Sequence, residues 1–275
     1  MNSSIVITDG AWGTQMQARG LPIGACPDEW NLSHPDRVEE VARAYVAAGS
    51  QIILTNTFGA NRVRLAEFGL AGQTREINER GAAISKRAAA QHARVFASIG
   101  PTGKMLAMGD VSADELSAAF AEQAQALAVG GADGLVIETM AELEEAQLAV
   151  RAAKATGLPV VACMVFDTGG RTMMGVTPEQ AATELAAAGA DVIGSNCGNG
   201  IADFLPICRQ LRAATTLPIW IKANAGLPEM VEGKVQYRTS PRDFASYLPA
   251  LVAAGASFIG GCCGTTPEHI AELRK

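Results

Sequence analysis

The feature that most constrains the fold is a junction repeated four times. At Gly49-Ser50-Gln51, Gly131-Ala132-Asp133, Gly189-Ala190-Asp191 and Gly255-Ala256-Ser257, an alanine-rich stretch stops at a glycine and a small residue. An apolar run follows each time and closes on polar residues. Ile52-Ile53-Leu54 leads to Thr55-Asn56-Thr57, Leu135-Val136-Ile137 to Glu138-Thr139, Val192-Ile193-Gly194 to Ser195-Asn196-Cys197, and Phe258-Ile259-Gly260-Gly261 to Cys262-Cys263. Glycine just past a helix supplies the positive φ that a C-terminal cap needs without strain. The repeat reads as helix, tight turn, buried strand, then polar groups at the strand's C-terminal end.

Four more apolar runs lie between these: Ile5-Val6-Ile7-Thr8, Val95 to Ile99, Pro159 to Cys163 and Pro218 to Lys222. Proline is tolerable in the last two because it stands at the first strand position. Eight continuous apolar strands alternating with helical stretches imply a parallel sheet covered on both faces. Eight such units in 275 residues predict an α/β fold, a (β/α)8 TIM barrel forming a single domain over residues 1–275. A doubly wound open sheet is the alternative, and it fits less well because no Gly-x-Gly-x-x-Gly follows the first strand. Helix starts are marked by Thr177-Pro178, Thr266-Pro267, Ser240-Pro241, the Ser33-His34-Pro35 stretch and a capping box over Ser112 to Glu115. The longest strand-to-helix segments, 223–239, 100–111 and 166–176, belong to the face of a barrel where catalysis occurs.

A formal net charge of −6 argues against a nucleic-acid or membrane surface, because phosphate contacts need clustered Lys and Arg. No apolar run approaches the length of a membrane span. Met1-Asn2-Ser3-Ser4 lacks the basic and apolar regions of a secretory signal. Six cysteines in such a chain are expected to be free, metal-bound or catalytic, in a cytoplasmic protein with a small-molecule partner.

Cys197 ends the sixth strand and Cys262-Cys263 the eighth, so a barrel places all three thiols on one rim, one strand apart. Zinc accepts thiolates in tetrahedral geometry, and three cysteines leave the fourth position open to a substrate thiol. Metal coordination would deprotonate that thiol outright. The flanking Gly198, Gly260, Gly261 and Gly264 would let backbone approach the ion and offer N–H groups to the sulfurs. The competing reading, that all three thiols are small buried apolar residues, stays open on spacing alone. Cys163 and Cys208 are expected in the core; Cys26 suggests no role.

Other strand ends carry candidates for binding a substrate. Asp9 could hold an ammonium group, and the turn with Gly10, Gly13 and Thr14 could hold a carboxylate, with Trp12 walling the pocket and Trp30 structural. Glu138 ends the fourth strand among apolar residues. Asn56 and Asn196 are weaker candidates, since rim amides also satisfy loops, and the same holds for Thr57. Met105, Met108, Met173 and Met174 are expected to fill space, and His269 to serve a helix start. No catalytic group beyond the metal site stands out.

Asp9-Gly10-Ala11-Trp12-Gly13-Thr14, Leu54 to Asn61, Gly194-Ser195-Asn196-Cys197-Gly198, Asn224-Ala225-Gly226-Leu227-Pro228 and Gly260 to Ile270 together resemble the homocysteine S-methyltransferase family. That family includes betaine–homocysteine methyltransferase and the homocysteine-binding domain of cobalamin-dependent methionine synthase; the last two stretches look most like the methionine synthase branch. The resemblance covers nearly the whole chain. It implies Zn2+ on Cys197, Cys262 and Cys263, amino-acid-binding acids at Asp9 and Glu138, and methyl transfer to the thiol of homocysteine in methionine biosynthesis. The chain is expected to act without the folate, corrinoid and reactivation domains that follow this barrel in methionine synthase. The expected methyl donor is therefore a methylcorrinoid protein in trans or a small sulfonium or ammonium compound. Two other functions are compatible with the same residues: a demethylase passing methyl from a small molecule to a thiol or corrinoid protein, and a non-catalytic zinc-binding or interaction subunit.

Overall fold

The structure, a computed structural model, describes residues 5–167, 169–231 and 234–275. The stretch Met1-Asn2-Ser3-Ser4 considered above lies outside the described residues. Eight strands form one parallel sheet: β1 (Val6–Ile7), β2 (Ile52–Ile53), β3 (Arg94–Ile99), β4 (Gly134–Met140), β5 (Val160–Met164), β6 (Val192–Cys197), β7 (Ile219–Ala223) and β10 (Ala256–Gly261). Their order is β1-β10-β7-β6-β5-β4-β3-β2, and a parallel bridge between Thr8 and Ile52 brings β1 to β2, closing the ring. The remaining strands, β8 (Glu229–Val231) and β9 (Lys234–Gln236), form an antiparallel hairpin inside the long segment after β7. The barrel expected from the alternating pattern is the fold found.

The four junctions have a common physical cause. Gly49, Gly131, Gly189 and Gly255 take φ of 95°, 94°, 108° and 105°, the left-handed region that favours glycine. Two residues later, a side-chain oxygen accepts an N–H within the first two residues of the neighbouring strand. Gln51 takes that of Ile7 at 3.0 Å, Asp133 that of Val95 at 2.8 Å, Asp191 that of Val160 at 2.8 Å and Ser257 that of Ile219 at 3.4 Å. These N–H groups would otherwise be left without partners where the ladder begins. Lys86 and Lys154, from the preceding helices Thr74–Ala89 and Leu143–Lys154, hold the two aspartates in place at 2.7 and 2.9 Å.

The helix starts follow the sequence signals with one exception. Thr177 and Ser240 accept from the N–H of Gln180 and Asp243, each at 3.2 Å, and Ser112 forms its capping box with Glu115. Before Pro35–Ala47, the capping position belongs to His34, whose side chain makes no capping bond. Ser33 instead ends the short helix Trp30–Ser33 and donates to Glu29 at 2.8 Å. Among the described residues, no helix is long and apolar enough to cross a membrane.

Inside the barrel, Trp220 is fully buried, stacked against Phe96 with centroids 6.2 Å apart and tilted against Phe258 at 5.2 Å. Val136, Val161, Cys163 and Val192 complete this layer. A Cβ on Gly194 would lie 2.2 Å from the Trp220 carbonyl oxygen and 2.8 Å from the Cys163 sulfur, so only glycine fits there. Strand side chains alternate between faces. The positions two residues beyond Phe96, Val136, Gly194 and Trp220 are Ser98, Glu138, Asn196 and Lys222. An apolar layer thus carries a polar one above it, toward the C-terminal rim.

Candidate metal centre and binding cavity

Cys197 closes β6, Cys262 and Cys263 follow β10, and β7 lies between. The sulfurs of Cys197 and Cys262 are 3.2 Å apart, and all three lie within 4.8 Å of one another with no disulfide among them. Zinc bound tetrahedrally to sulfur at about 2.3 Å requires sulfurs about 3.8 Å apart. One pair at 3.2 Å and none beyond 4.8 Å bracket that spacing, so the donor set fits such an ion. Without a cation the thiols share their protons. Hydrogen bonds from Cys197 and Cys262 bring the Cys263 thiol down to about 3. The same bond to Cys262 pushes Cys197 well up. At Cys262 the bond to Cys197 pulls down, but Cys263 and burial outweigh it and leave the thiol at about 11. A dication held by the three sulfurs would let all three ionise.

Two non-glycine residues at this rim adopt positive φ: Cys197 at 65° and Thr139, at the end of β4, at 61°. A β-branched residue in that region is an outlier that its surroundings must hold in place. Asn196 does so. Its Oδ1 accepts from Thr139 N at 2.7 Å and its Nδ2 donates to Thr139 Oγ1 at 2.6 Å, with the Cys197 and Cys262 sulfurs 3.8 and 3.9 Å from the same Nδ2. The rim glycines serve packing. Gly261 N donates to the Asp9 carbonyl at 2.9 Å rather than to a sulfur, and Cys262 N donates to that of Ala223 at 2.7 Å. A Cβ on Gly264, at φ 79°, would fall 2.1 Å from the Tyr237 ring.

The thiols open into a cavity of about 410 Å³. Glu138 and Lys222 line it, as do Gly10, Trp12, Gly13, Thr14 and Asn56; Asp28, Phe58, Arg64 and Phe68 line it as well. Glu138 is 7% exposed and accepts a hydrogen bond from Ser98 Oγ. Burial pushes its carboxyl up to about 7, against the pull of the Lys222 charge. Lys222 is 2% exposed and forms an ion pair with Asp9. Burial works against its ammonium, but the Asp9 and Glu138 carboxylates outweigh it and hold the group protonated above its ordinary value.

Asp9 is placed differently from the sequence expectation. It is fully buried and does not line the cavity. One oxygen pairs with Lys222; the other accepts from Leu54 N and Trp12 Nε1, each at 2.7 Å. Asn56 reaches the cavity, but its Nδ2 is bound to the Pro27 carbonyl at 2.7 Å and to Asn31 at 3.1 Å. Trp12 walls the cavity and Trp30 is buried. Cys163 and Cys208 are in the core. Thr57 is fully buried, donating to the Ser98 carbonyl at 2.7 Å, so it supports the strand end. Met108, Met173 and Met174 are exposed rather than space-filling, since the loops that carry them reach into solvent. His269 occupies the third position of the last helix and completes a capping box with Thr266.

Three charged cavity residues were not marked by any motif: Lys222, Asp28 and Arg64. For Lys222 the parity of the apolar strand, in phase with Trp220, was the available signal. Asp28 is buried and its carboxyl is pushed up to about 6 by burial, while it accepts from Gly59 N at 3.1 Å. No periodicity surrounds Asp28 or Arg64.

Residues 6–275 match the homocysteine S-methyltransferase family. The chain belongs to that family. It is 32% identical to methionine synthase of Mycobacterium tuberculosis and 33% identical to that of Mycobacterium leprae, over 99% and 98% of its length. The chain spans 24% of the length of each of these relatives. Among solved structures, the metallated form of the homocysteine methyltransferase MmuM from Escherichia coli superposes with a TM-score of 0.84 at 25% identity, covering 99% of this chain and 96% of that one. The oxidized form of the same protein gives 0.81 at 26% identity, covering 98% and 95%.

Proposed function

We propose that the chain, read as one homocysteine-binding barrel over residues 1–275, is a zinc-dependent S-methyltransferase that converts homocysteine to methionine. The observation that carries this is the convergence of three thiols at a cavity that the buried carboxylates Glu138 and Asp28 also line. Zinc held by Cys197, Cys262 and Cys263 would supply the positive charge that keeps a substrate thiol deprotonated at neutral pH. Glu138 accepts the substrate ammonium. Asp9 acts indirectly, fixing Lys222, the Trp12 indole and the start of the Leu54 segment. Gly10, Gly13 and Thr14 form the wall against which the amino acid lies, and Asn196 keeps the Thr139 and Cys197 backbones in the conformation that turns the thiol inward. Methyl transfer forms a bond from the substrate sulfur to the methyl carbon as the donor leaves with its electron pair.

The donor enters from the open side of the cavity; it is a methylcorrinoid protein in trans or a small sulfonium or ammonium compound. Six unpaired thiols support a cytoplasmic location. The test is methyl transfer to homocysteine by zinc-loaded protein from S-methylmethionine, S-adenosylmethionine, betaine, dimethylsulfoniopropionate and methylcobalamin. Cys262→Ala and Cys263→Ala should lose metal and transfer together. Stoichiometric zinc with full activity in either variant would refute the assignment.

A further inference from the structure

Lys222 is the least expected group in the cavity. An ammonium carries three N–H donors. Among the described residues its one hydrogen-bond partner is Asp9, although the side chain is 2% exposed and lines the cavity. Burying an ammonium without filling its donors is costly. Glu138 lines the same cavity, and each of the two charges acts on the other, yet no ion pair joins them. A positive and a negative group therefore flank one space without closing on each other. Asp9 balances the charge of Lys222, so the pair adds no net charge to this space. Of the two buried carboxylates in the lining, Asp28 accepts from Gly59 N and the Cys26 thiol, which leaves Glu138 to face a cation beside Lys222. A zwitterionic α-amino acid head group complements this arrangement, with its ammonium toward Glu138 and its carboxylate toward Lys222.

We propose that Lys222 reads the α-carboxylate of the amino-acid substrate through the N–H donors that Asp9 leaves free. This makes Lys222 a specificity-determining residue that selects amino acids over simple amines carrying the same sulfur end. The inference rests on the reading that the acceptor is an amino acid. Its test needs no methyl donor.

Binding of methionine and of its decarboxylated analogue, 3-(methylthio)propylamine, is measured by titration calorimetry on the purified full chain. The wild type should prefer methionine by about ten- to hundredfold, the worth of hydrogen bonds from a charged donor. K222R should keep the preference. K222M leaves Asp9 buried without its partner, so the double variant D9N/K222M, checked for a cooperative melt, serves as the decisive protein. Its preference should fall to within about twofold of unity, mainly through weaker methionine binding. A wild-type preference that survives in D9N/K222M overturns the proposal and assigns the carboxylate to the backbone of the Gly10–Thr14 turn. A wild type that binds neither compound overturns the amino-acid reading itself, and this proposal with it.

Discussion

Asp9, just beyond β1, and Glu138, near the end of β4, are both buried carboxylates on the rim side of the aromatic layer, and the barrel uses them in opposite ways. Asp9 meets an ammonium, a backbone N–H and an indole N–H, so each oxygen is satisfied inside the protein. Glu138 meets one serine hydroxyl and the cavity. Burial without enough partners pushes the Glu138 carboxyl to about 7. The difference separates a charge that holds the scaffold together from one that faces the cavity. Position at a strand end is common to both; the number of donors that converge on each is what distinguishes them.

Removing the scaffold charge should produce the largest effect. Asp9→Ala leaves Lys222 buried and unpaired, and breaking a buried pair in this way costs about 3–5 kcal/mol. Urea unfolding followed by circular dichroism would show it as a lower midpoint. The double variant D9N/K222M should recover most of the loss, because removing both charges together leaves neither one unpaired. An Asp9→Ala protein as stable as the wild type would erase the contrast between the two acids.

Glu138→Gln should do the reverse. Folded Glu138 binds its proton more tightly than a free carboxyl, having moved from 4.5 to about 7. The wild type is therefore unpenalised below about 4.5, loses stability as the pH rises through that window, and carries the full penalty above about 7. In metal-free protein, Glu138→Gln should gain on the wild type over the same window, by an amount on the order of 3 kcal/mol. The variant should nonetheless bind methionine about ten- to hundredfold less tightly, because the ammonium loses its charged acceptor. A stability difference that does not vary with pH would place the Glu138 carboxylate among the satisfied groups, with Asp9.

Much of the scaffold was legible because its causes are local. The glycine junctions, the strand-end polar residues and most helix caps each depend on a few neighbouring residues. The convergence of the three thiols was legible through topology, since strands six and eight of a barrel must flank strand seven. The role of Asp9 was not. Its partner Lys222 stands 213 positions away, and its other donors belong to Leu54 and to a tryptophan side chain. Sequence pattern identifies which side chains reach the interior, but not which of them neutralise one another there. The rim glycines teach the same lesson. Their spacing suggested N–H groups for sulfur, whereas Gly261 is accounted for by the nearby Thr265 side chain and Gly264 by the Tyr237 ring, which the long segment after β7 brings back.

The smallest effect should come from the thiol nearest this pair that lies outside the metal cluster. Cys163 is buried in the apolar layer, and the Glu138 charge together with burial keeps its thiol well above the ordinary value. It packs beneath the polar layer beside Gly194, where a larger side chain would collide with Trp220. Cys163→Ala removes one sulfur atom from a dense layer and should cost about 1 kcal/mol, with the cavity only partly relaxing. Zinc stoichiometry should be unchanged, in contrast to Cys262→Ala, so metal analysis and urea unfolding of the two proteins side by side separate a packing thiol from a ligand. Loss of zinc from Cys163→Ala would extend the metal centre into the barrel interior and remove the boundary between the apolar layer and the polar one that carries Glu138 and Lys222.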